Sequence, residues 1–130
     1  MSSISAVLDA SAVLTIIYGE RGADKLTSEL LANAVMSSVN LAEVHSKLVA
    51  SGWDTEQAWE DCVGVVDRIL PFTMDHARRT GNLIPKTRSL GLSLGDRACL
   101  ALALEQNAPV YTADRSWKSL KLPIAIHVIR

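Results

Sequence analysis

Apolar and polar positions along the chain follow two periods. Short apolar runs at 4–8, 34–37, 69–72, 110–112 and 124–129 have the length and composition of strands. The segments between them carry apolar residues at helical spacing, as a helix with one buried face does. Segment 12–18 is such a helix, stopped by Gly19, and 22–33 is a second, with Leu26, Leu30 and Leu31 on one face. Helices are also predicted over 39–51, stopped by Gly52, and over 54–68, where Asp54 can accept an unpaired backbone N–H as N-cap. Segment 73–90 reads as mostly helical with a break at Pro85, 94–106 as a strong apolar helix capped by Ser93, and 115–119 as a short helical turn. Strands joined by helical crossovers pair in parallel, and a parallel sheet is covered on both faces. The expected fold class is therefore α/β. Ligands of such sheets bind beyond the carboxyl ends of the strands, so chemistry is expected at strand-to-helix junctions.

Composition narrows this picture. The 130 residues predict one domain, 1–130, large enough to hold a core without disulfides or metal. With 48% apolar and 21% charged residues, global disorder is excluded. Thirteen basic against 14 acidic residues give a net charge of -1, which argues against gripping nucleic acid by bulk charge. A nuclease whose metal ions supply positive charge locally remains open. Aromatics are only 5%, few for a module that stacks single-stranded bases. Cys62 and Cys99 lie on apolar helix faces and read as buried thiols, with no zinc spacing around them. His45, His76 and His127 fit no ligand pattern. Residues 1–5 contain no basic residue and begin no long apolar run, so no signal peptide or membrane span is expected. A cytoplasmic protein follows as the expectation.

The junctions carry acids. Asp9 directly follows the first strand, Glu43 falls in the first turn after the second, Asp96 opens the long apolar helix, and Asp114 follows the fourth strand. Each has an ordinary role open to it. Asn40-x-x-Glu43 and Ser93-x-x-Asp96 have capping-box spacing, and Asp114 can cap the turn behind it. Together they ask for more. Carboxylates gathered at one point repel and raise each other's pKa unless something positive compensates. Helix N-termini supply part of that charge, and a hard divalent cation such as Mg²⁺ or Mn²⁺ suits an all-oxygen donor set.

Val7-Leu8-Asp9-Ala10-Ser11-Ala12, Asn40-Leu41-Ala42-Glu43-Val44, Leu92-Ser93-Leu94-Gly95-Asp96 and Thr112-Ala113-Asp114 stand in the order and spacing of the PIN domain. The chain especially resembles the VapC-type toxins of prokaryotic toxin–antitoxin pairs, over its whole length. That resemblance implies a three-layer α/β/α sandwich with a central parallel sheet. It also implies a Mg²⁺- or Mn²⁺-dependent ribonuclease and an antitoxin that blocks the site. Asp9, Glu43, Asp96 and Asp114 match the acidic quartet, and Ser11 and Thr112 the hydroxyl positions that help hold it. Asp9, Asp96 and Asp114 are then the expected metal ligands, with Glu43 a ligand through water or a positioner of the nucleophile. Products with a 5′-phosphate and a 3′-hydroxyl are implied. Arg97 departs from the small residue common after the third acid, and it could reach either substrate phosphate or a subunit surface.

Substrate grip must come from dispersed basic residues. Arg115 and Lys118, close behind Asp114, are the first candidates for RNA contact, with Arg97 a third; Trp117 is expected to pack its short turn onto the sheet. A receiver-like signalling domain is disfavoured because Asp9 stands single and Pro71-Phe72-Thr73 offers no phosphoacceptor. A phosphatase of the DxD type fails at Ser11, and a catalytically dead PIN-like binding module is disfavoured by the full set of acids. The helices from 39 to 68 are too apolar for one sheet face to cover. Of the surface of Leu41, Val44, Leu48, Val49, Trp53, Trp59, Val63, Val65 and Val66, some should remain for another chain, which the resemblance makes an antitoxin, on a scaffold of paired toxin copies.

Overall fold

A computed structural model describes residues 4–130. The no-leader expectation for residues 1–5 falls largely on the first three, outside the described residues. In chain order the elements are β1 (Ala6–Leu8), α1 (Ala10–Tyr18), α2 (Ser28–Leu31), β2 (Ala34–Ser37), α3 (Ser38–Ala50) and α4 (Thr55–Val63). They continue with β3 (Arg68–Leu70), α5 (Met74–Asn82), α6 (Ile84–Thr87), α7 (Leu94–Gln106), β4 (Val110–Thr112) and β5 (Ile126–Val128). Single 3₁₀ turns lie at Ala23–Lys25, Arg88–Leu90 and Arg115–Ser119.

All strand pairings are parallel, and the sheet order is β3-β2-β1-β4-β5. The chain winds outward from β1 to β3 on one side, then returns to add β4 and β5 on the other. The order therefore reverses between β1 and β4, the place where such sheets open a crevice at their carboxyl ends. Alternation along β1 and β2 splits the core in two. Ala6, Leu8 and Met36 face Val13, Val44, Leu48 and Cys62 of α1, α3 and α4. Val7, Val35 and Val110 face Cys99, Leu100, Leu102 and Trp117 on the opposite side. The two cysteines are thus free, buried and in separate cores. Together these elements form the expected α/β/α arrangement. No helix among the described residues is long and apolar enough to cross a membrane.

Three expected helices are shorter than their hydrophobic pattern. Segment 22–33 breaks at Thr27, which adopts extended backbone and accepts the Leu30 N–H at 3.2 Å, so α2 restarts from its own cap. Gly22 before it has φ +101°, and a β-carbon there would press on the Ile129 carbonyl. Segment 54–68 starts as expected, with Asp54 accepting the Gln57 N–H at 3.1 Å, but ends at Val63. The β-branched pair Val65-Val66 then leads into β3, with Val66 buried in the first core. Segment 73–90 divides at Leu83 into α5, α6 and a 3₁₀ turn, because Pro85 fits the first turn of a helix and not its interior.

Candidate active site

Asp9 ends β1 and caps α1. Its Oδ1 accepts the Ala12 N–H at 2.8 Å and the Ser11 hydroxyl at 2.7 Å, and its Oδ2 accepts the Thr112 hydroxyl at 2.6 Å. Ser11 and Thr112 face each other at 3.3 Å. Thr112 spends its one proton on Asp9, so its oxygen is free to accept the Asp114 N–H at 3.1 Å. Ser11 likewise accepts the Ala113 N–H at 2.9 Å. Two hydroxyls therefore stitch the end of β1 to the end of β4 and leave the carboxylate fixed. Asp9 is only 3% exposed. Burial pushes its carboxyl up to about 6, with the nearby Asp96 charge adding a small push; the hydrogen bonds from Thr112, Ala12 and Ser11 pull the other way.

Glu43 and Asp96 approach from α3 and α7. The structure corrects the sequence expectation for Glu43. Ser37, not Asn40, caps α3, accepting the Val39 N–H at 3.2 Å, so Glu43 sits in the second turn and Asn40-x-x-Glu43 is not a capping box. Asn40 instead lies buried inside the helix and donates to Glu43 Oε1 at 2.8 Å and to the Gly95 carbonyl of α7 at 3.0 Å. Ser93-x-x-Asp96 is a true capping box: the Asp96 N–H reaches Ser93 Oγ at 3.1 Å, and Asp96 Oδ2 accepts the Ser93 N–H at 3.0 Å.

Burial chiefly, then the charges of Asp9, Asp96 and Glu43, raise the Cys99 thiol well above its usual range. Three of the four acids therefore gather around the first turns of α7. Asp114 is tied to this end of the sheet by its backbone alone, its N–H sharing Thr112 Oγ1 with Asp9, while its carboxylate turns to Ser116. Asp114 is exposed, and its Oδ1 accepts the Ser116 N–H at 2.9 Å and the Ser116 hydroxyl at 2.7 Å. With Asp96 and Asp114 each giving an oxygen to a cap, no three His, Cys, Asp or Glu side chains among the described residues stand in ligating arrangement. The chemistry of the donors nonetheless fits a hard cation. All are carboxylates, one is buried against the preference of its charge, and the Gly95 position forms a cradle in which a β-carbon would collide with the Glu43 carboxylate.

The basic candidates divide. Arg115 and Lys118 are exposed, and Arg115 donates to the Arg130 carbonyl at 3.1 Å, just beyond the carboxyl end of β5. Arg97 is half-buried and donates to the Thr80 carbonyl of α5 at 2.9 Å, a contact within the chain that neither sequence alternative foresees. Trp117 is fully buried, as its packing role requires. Asn40 and Gly95 contact the site in ways the sequence reading missed. The available signal was a glycine inside the first turn of a helix, where propensity disfavours it.

A second surface lies away from the acids. Trp59 is 44% exposed and Val63 36% exposed on α4. Separately, α1, the end of α2 and another face of α4 enclose an open groove of about 440 Å³, lined by the apolar Ile16, Ile17, Leu31 and Val65 and by the acidic Glu60 and Asp61. Trp53, by contrast, is half-buried, edge-on to Tyr18 at 6.0 Å.

The sequence profile of the PIN domain matches residues 6–122. No curated protein sequence matches the chain. Among solved structures, the fold is similar to DNA-bound VapBC from Salmonella typhimurium, with TM-score 0.75 and 16% identity over 98% of this chain and 99% of that one. It is similar to VapBC2 from Rickettsia felis bound to a promoter DNA fragment, with TM-score 0.70 and 20% identity over 98% and 100%. It is also similar to the sarcin–ricin loop-cleaving toxin VapC20 of Mycobacterium tuberculosis, with TM-score 0.70 and 16% identity over 90% and 97%. A profile that spans nearly the whole chain, on a fold shared end to end with these toxins, means that the chain belongs to the PIN domain family.

Proposed function

We propose that residues 1–130 form one PIN domain that acts as a metal-dependent endoribonuclease, the toxin of a cytoplasmic toxin–antitoxin pair. The observation that carries this reading is Asp9: a carboxylate buried at the switch point of a parallel sheet, pushed up to about 6, with Glu43 and Asp96 close by. A structural cap needs neither that burial nor those neighbours. Asp9, Asp96, Asp114 and Glu43 would hold Mg²⁺ or Mn²⁺. A bound ion there supplies charge neutralisation, a polarised phosphate and a water of lowered pKa. Ser11 and Thr112 keep the Asp9 oxygens in one orientation. Asp114, exposed and held by a single serine, is the carboxylate free to adjust as substrate arrives. Arg115 and Lys118, exposed in the turn behind Asp114, would be the contacts to an RNA phosphate.

The groove lined by Ile16, Ile17, Leu31 and Val65 supports the partner half of the reading. Its apolar and acidic lining suits an amphipathic segment with basic residues, and the similar solved structures include VapBC and FitAB complexes. Paired copies of the toxin complete the proposal.

Labelled RNA incubated with Mn²⁺ tests the activity. Wild-type protein should cut it and Asp9→Asn should not; wild-type protein that leaves RNA intact across divalent cations overturns the nuclease. Co-expression with the neighbouring small open reading frame, followed by native mass measurement, tests the assembly. A strictly monomeric toxin removes the dimer, and a partner that leaves cleavage untouched removes the antitoxin.

A further inference from the structure

Glu43 and Asp96 belong to different helices, and both are negative. Nothing in the local structure of either helix sets their separation, and repulsion would widen it. The contact that opposes this is Asn40. It is 1% exposed, so its amide needs partners inside the protein. Its Nδ2 has two hydrogens: one holds Glu43 Oε1 on the same helix at 2.8 Å, and the other crosses the gap to the Gly95 carbonyl of α7 at 3.0 Å. Gly95, itself buried, directly precedes Asp96, and a β-carbon there would collide with the Glu43 carboxylate. One amide and one missing side chain therefore seat the carboxylate of α3 on the backbone of α7.

The chemistry of the two positions is specific. An aspartate at 40 has the same shape but offers acceptors to two acceptors and adds a carboxylate to the cluster. An alanine at 95 raises helix propensity yet fills the seat. If Gly95 served only the helix, alanine would stabilise it.

We propose that Asn40 and Gly95 form a latch that holds Glu43 against the first turn of α7 and so fixes the Glu43–Asp96 separation at which the site accepts a divalent cation. They are positioning residues, touching neither cation nor substrate. The inference rests on the metal-dependent reading above and deepens it.

The experiment measures Mn²⁺ affinity by calorimetry and RNA cleavage on the same samples of wild type, Gly95→Ala, Asn40→Asp and Asn40→Ser. Circular dichroism first establishes which variants are folded. Folded Gly95→Ala and Asn40→Asp should bind Mn²⁺ about 10- to 100-fold more weakly, the range for losing a residue that orients a ligand. The cleavage loss should appear in kcat, with KM for RNA little changed. Asn40→Ser, which keeps a donor on a shorter side chain, should fall between. Should Gly95→Ala fail to fold, the two Asn40 variants decide. Folded variants with wild-type Mn²⁺ affinity and kcat overturn the latch. Wild type that binds Mn²⁺ but cuts no RNA ends the ribonuclease reading alone, since the affinity series still judges the latch. Wild type that binds no Mn²⁺ overturns both.

Discussion

Asp9 and Asp114 are built alike and behave differently. Each follows a strand of the sheet, and each caps the helical turn behind it with its own Oδ1. Asp9 stands at the central strand, enclosed by the ends of β1 and β4, and is 3% exposed; Asp114 stands beyond β4 on the surface. Capping alone explains Asp114. It does not explain Asp9, because burying a charge to gain a cap worth about 1 kcal/mol is a poor exchange. The contrast shows which of two similar acids the fold buries at an electrostatic cost and which it leaves at the surface.

The contrast is broken most directly by Asp9→Asn, which keeps the shape and removes the charge. RNA cleavage should fall by at least about a hundredfold, the scale for losing a preorganised electrostatic group. Stability in metal-free buffer at pH 7 should be unchanged or higher. The pH dependence carries the sign. Unfolded, the Asp9 carboxyl titrates near 3.8; folded, near 6. Below the lower value both states are protonated and the group costs nothing. Between the two the unfolded chain releases its proton first, so stability falls as pH rises, by about 2–3 kcal/mol in all, and levels off above pH 6. Asp75, held low by Arg79, and Glu105, held low by His76, act the other way, losing stability as pH falls through the acid range. Melts from pH 4 to 7 should therefore show a decline in wild type that Asp9→Asn lacks. Identical profiles would mean that Asp9 is solvated and unstrained. Added Mg²⁺ or Mn²⁺ should raise the wild-type melting temperature more at pH 7 than at pH 5, where protons compete for the same oxygens.

Much of this contrast was legible in the sequence, up to a point. An apolar strand closed by Asp9, with strand–helix alternation behind it, places a carboxylate at the end of a parallel sheet. Depth was not legible, because it depends on β4 lying beside β1, a pairing across about a hundred residues that no local pattern encodes. The same limit separates the two apparent capping boxes. Ser93-x-x-Asp96 is one, while Asn40-x-x-Glu43 is not, because Ser37 starts its helix three residues earlier. Spacing gives which residues can meet on a helix; the actual cap depends on where the preceding strand stops. Segment 22–33 fails for a related reason: its leucine periodicity is real, but Thr27 offers the backbone a competing cap. Arg97 could not be placed at all, since its partner is a carbonyl on α5 and backbone carbonyls leave no trace in sequence.

A smaller effect sharpens the comparison from the Asp9 side. Thr112→Val removes the 2.6 Å hydrogen bond to Asp9 Oδ2 and leaves the Asp114 N–H without its acceptor. Stability should drop by about 1–3 kcal/mol at neutral pH, as for a lost bond to a buried charge. With one donor fewer, the Asp9 carboxyl should titrate higher still. The cost of the substitution should therefore grow between pH 4.5 and 7, while a plain packing defect would cost the same at both. Denaturant melts at the two pH values separate these outcomes.

The smallest stability effect is expected at Asp114. Asparagine caps a helix as well as aspartate does, so Asp114→Asn should keep the Ser116 contacts and change stability by no more than about 0.5 kcal/mol at any pH from 4 to 7. Activity should respond differently. If the exposed carboxylate swings from Ser116 toward the cation when substrate is present, its loss should weaken cleavage by about tenfold, most visibly at limiting Mn²⁺, and be partly recovered as Mn²⁺ is raised. Ser116→Ala supplies the counter-test, because it removes the 2.7 Å hydroxyl bond that holds the carboxylate back. That variant should cleave at least as fast as wild type at limiting Mn²⁺ while losing a little stability from the weakened turn. Were Asp114→Asn to cleave normally at every Mn²⁺ concentration, Asp114 would be a cap and nothing more, and the division of labour would run between Asp9 and the acids of α3 and α7 alone.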